Sequence, residues 1–379
     1  MDYWFECAKC KKKTQTEFSR CECGGLAEVQ LDLSKLSGKK KEEVLDSKAS
    51  SGVWRYKAFI HPGIEEKFIV SRGEGVTFLY HHARICDFTG ISQIRLKHEG
   101  ENPTGSFKDR GMTVGVSEAK RSGAKAVACA STGNTSSSLA SYAAFAGMEC
   151  QVFLPKGKVA AGKLAQTKAY GAKIIEVEGS FDKAMDDVEK HCEKSGVYLL
   201  NSINPWRIQG QKTIAIELME QNNWAVDWIV LPAGNLGNTT AFCKALLELK
   251  ELGWISKLPR IAAIQAAGAN PFYQSWKAGK EIIVEHPETI ASAIRIGNPK
   301  SLTRGLAYLK KLNGVVEEVT DEEIIAAKHV VDGCGIGCEP ASAASVAGAK
   351  KLVAAGVIKK NEKVVGILTG NILKDPTQY

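Results

Sequence analysis

Lys108 is the residue of this sequence whose position most strongly indicates a chemical role. It lies in the first turn of a helix that is predicted to start near Ser106. Because the helix dipole disfavours a cation there, helix preference does not explain the residue, and the position favours the neutral amine. A neutral lysine amine is a nucleophile that forms an imine with a carbonyl group. The position therefore indicates covalent binding of a carbonyl-bearing molecule, with an ordinary surface lysine as the alternative.

A loop rich in glycine and asparagine joins a predicted strand at 228–231 to a predicted helix at 239–252. It contains the run Gly234, Asn235, Leu236, Gly237 and Asn238. Glycines let the backbone approach a ligand closely, and the amide groups at a helix start bind anions such as phosphate. The run matches neither G-x-G-x-x-G nor G-x-x-x-x-G-K-[ST], so a dinucleotide or nucleoside triphosphate is not indicated. An ordinary tight turn is the alternative.

Two other predicted strands end in hydroxyl-bearing residues. The strand at 126–130 leads into the segment STGNTSSS at 131–138, and the last strand ends at Thr369. A helix N-cap explains part of the first pattern, and a turn residue is the alternative for the second. Taken with Lys108 and the glycine-rich loop, these residues suit one kind of ligand. It carries an aldehyde, a phosphate and an aromatic ring with a nitrogen, which indicates a phosphate-bearing cofactor that is bound covalently.

The N-terminal residues contain two close pairs of cysteines, Cys7-x-x-Cys10 and Cys21-x-Cys23. Two such pairs about ten residues apart are similar to the knuckles of a small zinc ribbon. The second pair is C-x-C rather than C-x-x-C, which departs from the pattern. Whether the cysteines bind zinc stays open at this point, and the sequence alone assigns no metal ligands.

Composition places the chain among globular proteins. It has 379 residues, 44% hydrophobic and 24% charged, with a net charge of +8 that suits anionic metabolites. Lysine runs at 11–13 and 39–41 read as solvated surface, and we predict no nucleic-acid partner. The eleven cysteines lack a disulfide framework after residue 23, the N-terminus shows no secretory signal, and no segment is long enough to span a membrane. These features predict a cytoplasmic protein with free thiols and no membrane partner.

From about residue 95, short apolar runs alternate with stretches of helical spacing. Strands are predicted near 126–130, 151–154, 173–177, 197–200, 228–231, 260–264 and 364–368, and helices near 106–121, 135–146, 160–170, 181–194, 209–222, 239–252, 321–332 and 340–355. Continuous apolar strands indicate mostly parallel sheets covered by helices on both faces. The predicted fold class is α/β, with two doubly wound three-layer α/β/α domains. The predicted parts are a Cys-rich ribbon-like segment at 1–33, a linker and extension packing on the larger domain at 34–95, a smaller domain at 96–204 and a larger one at 205–379.

Several long motifs resemble the threonine synthase family, within the tryptophan synthase β-like (fold type II) enzymes that use pyridoxal 5'-phosphate (PLP). The resemblance runs from about residue 53 to 376 and is carried by the segments 101–110, 131–135, 201–213 (NSINPWRIQGQKT), 234–238, 291–299 (ASAIRIGNP), 339–348 (EPASAASVAG) and 368–376 (LTGNILKDP). The cysteine-rich start, followed by GVWRY at 52–56, is similar to archaeal-type members. The resemblance implies a homodimer with PLP as its cofactor.

The resemblance also implies a role for individual residues. It implies that Lys108 is the catalytic lysine and binds PLP covalently. The other residues implied to bind the cofactor are Asn134 at the ring oxygen, the loop residues Gly234, Asn235, Leu236, Gly237 and Asn238 at the phosphate, and Thr369 at the ring nitrogen. The residues implied to bind the substrate are Thr132, Thr135, Asn201, Ser202 and Arg207. The arginine suits a phosphate because its guanidinium can donate two parallel hydrogen bonds.

One segment departs from the family pattern. Many relatives read TGHGLKDP where this chain has TGNILKDP, so Asn371 and Ile372 replace a histidine and a glycine. The hydroxyl of Thr369 is retained. The change questions any role of that histidine near the ring and bears on the substrate assignment.

The implied reaction is that of threonine biosynthesis: O-phospho-L-homoserine and water give L-threonine and phosphate through γ-elimination and β-addition. Other lyases of the same fold are alternatives, namely a cysteate synthase that uses O-phosphoserine and sulfite, or a threonine dehydratase. Phosphoserine and phosphohomoserine differ by one methylene, which the sequence does not resolve. A remote alternative is a zinc-ribbon protein that binds nucleic acid.

Overall fold

The computed structural model describes residues 2–156, 161–179 and 181–376. Its strands are β1 (Tyr3–Cys7), β2 (Lys13–Thr14), β3 (Ala27–Leu31), β4 (Leu79–Tyr80), β5 (Gln93–His98), β6 (Ala126–Ala130), β7 (Glu149–Pro155), β8 (Lys173–Val177), β9 (Tyr198–Leu199), β10 (Trp228–Pro232), β11 (Arg260–Ala266), β12 (Val315–Val319) and β13 (Lys363–Leu368).

Helices connect most of these strands. They are α1 (Lys41–Val44), α2 (Lys57–Ile60), α3 (Ala83–Thr89), α4 (Lys108–Arg121), α5 (Asn134–Phe145), α6 (Ala161–Ala169), α7 (Phe181–Ser195), α8 (Pro205–Gln221), α9 (Gly237–Glu251), α10 (Pro271–Ala278), α11 (Leu302–Lys311), α12 (Asp321–Asp332) and α13 (Pro340–Ala354). The helix α6 covers most of the helix predicted near 160–170, whose first residue lies outside the described residues.

The predicted α/β fold class is confirmed, and every predicted helix overlaps an observed one. The apolar pattern predicts none of the strands β1 to β4, and of the later strands it misses β5 and β12. The sequence of β12 is VVEEV, and it lies at the edge of its sheet, where polar side chains reach solvent. The sequence of β5 is QIRLKH, which includes the buried Lys97. Neither is a continuous apolar run, so neither meets the criterion for a strand covered on both faces.

The chain forms two compact units, and each unit is built from two segments. The first unit comprises Met1–Val76 and Asn102–Thr213, and the second comprises Thr77–Glu101 and Ile214–Tyr379. The domain boundaries predicted after residues 95 and 204 assume that each domain is one continuous stretch of the chain, whereas each observed unit combines two stretches. Strand pairing explains why the second unit begins earlier: β4 pairs with β5, and β5 pairs with β13 near the end of the chain.

The main sheet of the first unit has the strand order β8-β7-β6-β9, and all its pairs are parallel. Side chains of β6 alternate between two cores. Val127 and Cys129 pack with residues of α4 and α5, whereas Ala128 and Ala130 pack with residues of α7. The sheet is therefore covered on both faces, which explains why β6 is an uninterrupted apolar run.

The Cys-rich segment forms a three-stranded antiparallel sheet with the order β2-β1-β3, also in the first unit. Tyr3 and Phe5 of β1 meet the ring of Trp206 edge-on, with centroids 5.1 and 5.8 Å away. The imidazole of His61 stacks on the same ring at 4.1 Å. Between β2 and β3, the carboxylate of Glu17 accepts hydrogen bonds from the Tyr198 hydroxyl (2.5 Å) and from Nε1 of Trp206 (3.2 Å).

Glu17 gives the first unit a pH-dependent stability. Burial raises the pKa of Glu17 from 4.5 to about 7, so the folded chain keeps its proton where the unfolded chain loses it. This contribution to stability is complete below the unfolded-state pKa of 4.5. It is lost as the pH rises through the folded-state pKa of about 7. We expect Glu17→Gln to be about as stable as wild type near pH 4 and more stable, by about 2 kcal/mol, near pH 8. Thermal unfolding measured from pH 4 to pH 8 tests this difference in stability. The control is Glu22→Gln, which changes an exposed glutamate and should follow wild type. Stability profiles of wild type and Glu17→Gln that run parallel over this pH range would contradict the prediction.

The sheet of the second unit has the order β12-β11-β10-β13-β5-β4, and only the β4–β5 pair is antiparallel. Leu96, Val230 and Ile264 pack into one core with α12 and α13. Ile229 and Leu231, which alternate with Val230 along β10, are also fully buried. This parallel sheet is therefore covered on both faces as well, and polar ligands are expected at the loops that leave the carboxyl ends of its strands. Among the described residues, no helix is long and apolar enough to cross a membrane.

Candidate active site

Lys108 is the first residue of α4 in the first unit, as the sequence predicts. Its side chain is half-buried, and Nζ lies 4.1 Å from the centre of the Phe107 ring. The preceding turn uses Gly105 at a φ of +84°, a left-handed conformation that favours glycine. The turn therefore delivers the lysine at a helix start, next to an aromatic face, where an amine is partly shielded from water.

Asp109 fixes the start of α4, and the sequence reasoning missed it. Its buried carboxylate accepts hydrogen bonds from the backbone N–H and the hydroxyl of Thr104, each at 2.6 Å, and from the hydroxyl of Ser138 at 2.5 Å. Burial raises the pKa of Asp109 to about 6, against these hydrogen bonds, which lower it. Because Ser138 belongs to α5, the carboxylate ties the Lys108 turn to the hydroxyl-rich loop. The sequence feature that could have pointed to Asp109 is an acidic residue in the first turn of a helix.

Asn134 is the first residue of α5, and Gly133 is its N-cap. Thr132, Asn134 and Thr135 are all half-buried. An added Cβ at Gly133 would meet no atom within 4 Å, so the backbone at this helix start is open to an incoming group. The loop thus has amide N–H groups, hydroxyls and a carboxamide at one helix N-terminus, which suits oxygen atoms of a ligand.

Asn201 and Ser202 follow β9 in the first unit. The Asn201 side chain is buried, and its Oδ1 accepts a hydrogen bond from the backbone N–H of Ala130 at 2.9 Å. Its carboxamide thereby joins the end of β6 to the segment before α8. Ser202 is half-buried beside it. The structure therefore engages the Asn201 side chain in holding two loops together.

Arg207 lies in the first turn of α8 and is almost fully buried. One guanidinium nitrogen donates to the Leu200 carbonyl at 3.2 Å, whereas Nε has no hydrogen-bond partner within the part of the chain that the structure describes. Burial lowers the pKa of Arg207 to about 10, so it stays protonated at neutral pH. No carboxylate among the described residues forms an ion pair with it. A buried cation of this kind is ready to pair with an anion.

Close packing of α4 against α8 keeps these residues in place. A Cβ added at Gly210 would lie 1.9 Å from the Arg110 carbonyl oxygen, and one added at Gly111 would lie 3.0 Å from the Arg207 carbonyl oxygen. The two helices therefore approach each other where neither has a side chain. Asn204 caps the start of α8, since its Oδ1 accepts from the backbone N–H groups of Trp206 (3.0 Å) and Arg207 (3.2 Å).

The glycine-rich loop of the second unit runs from the end of β10 into α9. Leu236 is its N-cap with a φ of +65°, which places the following amides at the helix start. A Cβ at Gly234 would lie 3.3 Å from the Ile294 Cα, so a side chain there would be crowded. Gln265 supports the loop from β11 by donating to the Ala233 carbonyl at 3.0 Å. The strand and its neighbour therefore support the backbone of this loop at the start of α9.

Polar atoms beside this loop fit a phosphate. Both carboxamide atoms of Asn238 and the hydroxyl of Thr239 are buried, with no hydrogen-bond partner among the described residues. Buried polar atoms are normally paired, so unpaired ones at a helix start indicate a missing ligand. The loop has the amide groups, the buried donors and the close backbone approach that the phosphate of PLP requires.

Thr369 follows β13 in the second unit and is buried. Its hydroxyl lies 3.0 Å from the Ser342 hydroxyl and 3.3 Å from Oε1 of Glu339. Both partners are at the start of α13, and the sequence reasoning assigned no role to either, although both lie in the motif at 339–348. Gly370 makes the arrangement feasible, because a Cβ there would lie 2.5 Å from the Glu339 carboxyl carbon. The strand end therefore carries a polar group of two hydroxyls and one carboxylate.

Asn371, where the family pattern has histidine, has a local structural role. Its side-chain oxygen accepts a hydrogen bond from the backbone N–H of Leu373 at 3.0 Å and caps the 3₁₀ turn Ile372–Lys374. Ile372 packs over Gly337, where an added Cβ would lie 3.4 Å from its side chain. The two substituted residues therefore shape this turn.

The matching family model is "Pyridoxal-phosphate dependent enzyme", and it covers residues 70–370. The match includes both α/β sheets, the Lys108 helix, the glycine-rich loop and Thr369. The match to this family confirms the predicted use of PLP.

Relatives with similar sequences assign the chain to a narrower family. The threonine synthase of Methanocaldococcus jannaschii is 49% identical over 98% of this chain and 92% of its own length. The threonine synthase of Methanosarcina acetivorans is 47% identical over 99% of this chain and 93% of its own length. The chain belongs to the threonine synthase family, within the pyridoxal-phosphate dependent enzymes.

Solved structures support the fold. The processed form of threonine deaminase isoform 2 from Solanum lycopersicum matches with a TM-score of 0.71 at 22% identity, over 88% of this chain and 86% of that one. Maize serine racemase matches with a TM-score of 0.67 at 25% identity, over 84% and 92% of the two chains. These likenesses establish the architecture, and the sequence relatives separate this chain from those activities.

Proposed function

We propose that this chain converts O-phospho-L-homoserine and water into L-threonine and phosphate. The observation that carries the proposal is the 49% identity to a threonine synthase over nearly the whole chain. Arg207 supports a phosphorylated substrate, because it is a buried cation without a carboxylate partner among the described residues. A dehydratase acting on an unphosphorylated amino acid does not need such a group.

Each candidate residue has a role in this proposal. Lys108 would bind the cofactor aldehyde covalently, and the loop from Gly234 to Asn238 would hold its phosphate through backbone amides. Asn134 would donate to the ring oxygen, and Thr369 would hold the ring nitrogen. A hydroxyl would not keep that nitrogen protonated as a carboxylate does, and this would limit side reactions such as transamination. Thr132, Thr135, Asn201, Ser202 and Arg207 bind the substrate carboxylate and phosphate.

Bound PLP supplies an electron sink for negative charge that develops on the substrate. With the substrate amine bound to the cofactor in its place, the freed amine of Lys108 would remove the Cα proton and later return one. Asp109 keeps the lysine backbone in place through Thr104 and Ser138 and makes no direct contact with the reacting atoms in this proposal. Arg207 binds the phosphate before and during its departure, since a guanidinium stabilises the charge of the leaving group.

Three substrates distinguish this function from its nearest alternatives. We expect purified protein to release phosphate from O-phospho-L-homoserine with formation of threonine. We expect little product from O-phospho-L-serine with sulfite, and little 2-oxo acid from L-threonine. In each assay, the rate measured with the Lys108→Ala variant is the background. Faster turnover of phosphoserine with sulfite would replace the proposal with a cysteate synthase, and 2-oxo acid as the main product would replace it with a dehydratase.

Assembly and compartment are also proposals. We propose a homodimer, which light scattering of the purified chain would test. We propose a reducing compartment because none of the eleven cysteines, which all lie in the described part of the chain, forms a disulfide.

A further inference from the structure

We propose that Cys7, Cys10, Cys21 and Cys23 form a structural site for one zinc ion. The reaction proposed above uses none of these cysteines. Their side-chain sulfurs all lie within 4.8 Å of one another. Four thiolates at one point are a donor set that Zn²⁺ prefers in proteins. The sequence pattern left metal binding open because its second pair is C-x-C, and the folded geometry resolves this.

The distances between sulfurs fit a tetrahedral ion. The sulfur atoms of Cys7 and Cys23 are 3.5 Å apart, and those of Cys10 and Cys21 are 3.7 Å apart. Zinc–sulfur bonds of about 2.3 Å in a tetrahedron place the sulfurs about 3.8 Å from one another. A disulfide would need about 2.05 Å. The four sulfurs are thus spaced for a shared cation.

The backbone forms two turns that aim the sulfurs inward. In the first turn the N–H of Lys11 donates to the Cys7 carbonyl at 3.0 Å, and Lys11 has a φ of +63°. In the second turn the N–H of Gly24 donates to the Cys21 carbonyl at 2.7 Å, and Gly24 has a φ of +81°. The shorter spacing of the second pair is therefore accommodated by a glycine in the left-handed conformation.

Gly25 supplies a second constraint on the same site. A Cβ at this position would lie 2.5 Å from the Cys7 sulfur. The Cys7 sulfur therefore occupies space that a side chain at residue 25 would need. The absence of a side chain lets the two turns close on each other.

The surrounding charge also suits the site. Four thiolates around a divalent cation carry a net charge of about −2. The neighbouring segment supplies lysines at positions 9, 11, 12 and 13, and Nζ of Lys9 lies 3.2 Å from the Cys23 carbonyl oxygen. Four protein ligands leave no open coordination position, so the ion has a structural role.

The ion stabilises the sheet that packs next to the segment carrying Arg207. The strands β1, β2 and β3 have five, two and five residues, which is too little to form a core without a cross-link. Tyr3 and Phe5 of this sheet contact Trp206, the neighbour of Arg207. Zinc thus holds the aromatic side chains that cover the start of α8.

Metal analysis of the full-length purified chain tests the proposal. We expect about one zinc ion per chain by plasma mass spectrometry, and a cobalt-substituted chain with the visible bands of tetrahedral thiolate coordination. We expect Cys10→Ser and Cys21→Ser to lose nearly all the metal and to unfold at lower temperature. The matched controls Cys86→Ser and Cys334→Ser, which change half-buried cysteines outside the cluster, should keep it.

Two measurements on the wild-type chain keep the test independent of how the variants fold. A chelator should remove the metal, expose four thiols to a thiol reagent and lower the unfolding temperature. Wild-type protein without metal and without cobalt bands, or with disulfides among these cysteines by mass spectrometry, would overturn the proposal. Lys108→Ala should retain the full zinc content, so a failure of the proposed enzymatic function and a failure of the zinc site give different results.

Discussion

Lys108→Ala should lose at least about 10³-fold in turnover and lose the covalent attachment of PLP together with it. The expected loss is large because one amine both holds the cofactor and transfers the protons. Borohydride reduction of wild-type protein, followed by peptide mapping, should place the reduced adduct on the peptide that contains Lys108. The variant should yield no adduct, and its unfolding temperature should stay near that of wild type because the side chain is only half-buried.

Lys120→Ala is the matched control, because Lys120 lies in the last turn of the same helix and is also half-buried. It should keep both the adduct and the turnover. Lys108→Arg should behave like Lys108→Ala, since a guanidinium keeps the charge but does not form the imine at neutral pH. An adduct on a different lysine, or full activity in Lys108→Ala, would refute the assignment.

Glu217→Ala should lower the free energy of unfolding of the second unit by about 3–5 kcal/mol. The Lys97 ammonium is fully buried on β5 and donates to the Glu217 carboxylate at 2.5 Å. The ammonium also donates to the Thr77 carbonyl (2.6 Å) and to the side-chain oxygen of Gln221 (2.8 Å). Removing the carboxylate takes a charged partner away from an ammonium that stays buried, which is costlier than losing the attraction itself.

The control for this prediction is Lys257→Ala, which breaks an exposed ion pair with Asp227 and should cost less than about 1 kcal/mol. Chemical denaturation and hydrogen exchange of the β5 amides measure both variants. Because Lys97 is in register with Ile367 of β13, destabilised β5 amides should be accompanied by weaker protection of β13, the strand that precedes Thr369. Equal stability of Glu217→Ala and Lys257→Ala would show that the buried pair does not stabilise the sheet.

The candidate site was predictable from sequence where its residues follow one another along the chain. Lys108 at a helix start and the glycine-rich loop before α9 are local patterns, and both occur where predicted. The residues that support them were not predictable. Ser138 reaches Asp109 across 29 residues, and Ser342 reaches Thr369 across 27, so only the folded chain shows these contacts.

The sequence by itself determined the succession of helices and strands and the membership in a family, because hydrophobic periodicity and motif order are properties of neighbouring residues. Tertiary structure decided which polar side chains are buried and what they pair with. Lys97 and Glu217 are 120 residues apart, and only folding shows that the two charges are buried together and paired. It likewise decided that the four N-terminal cysteines converge on one point, since a spacing of C-x-C gives no direction to a sulfur until the turns around it have formed.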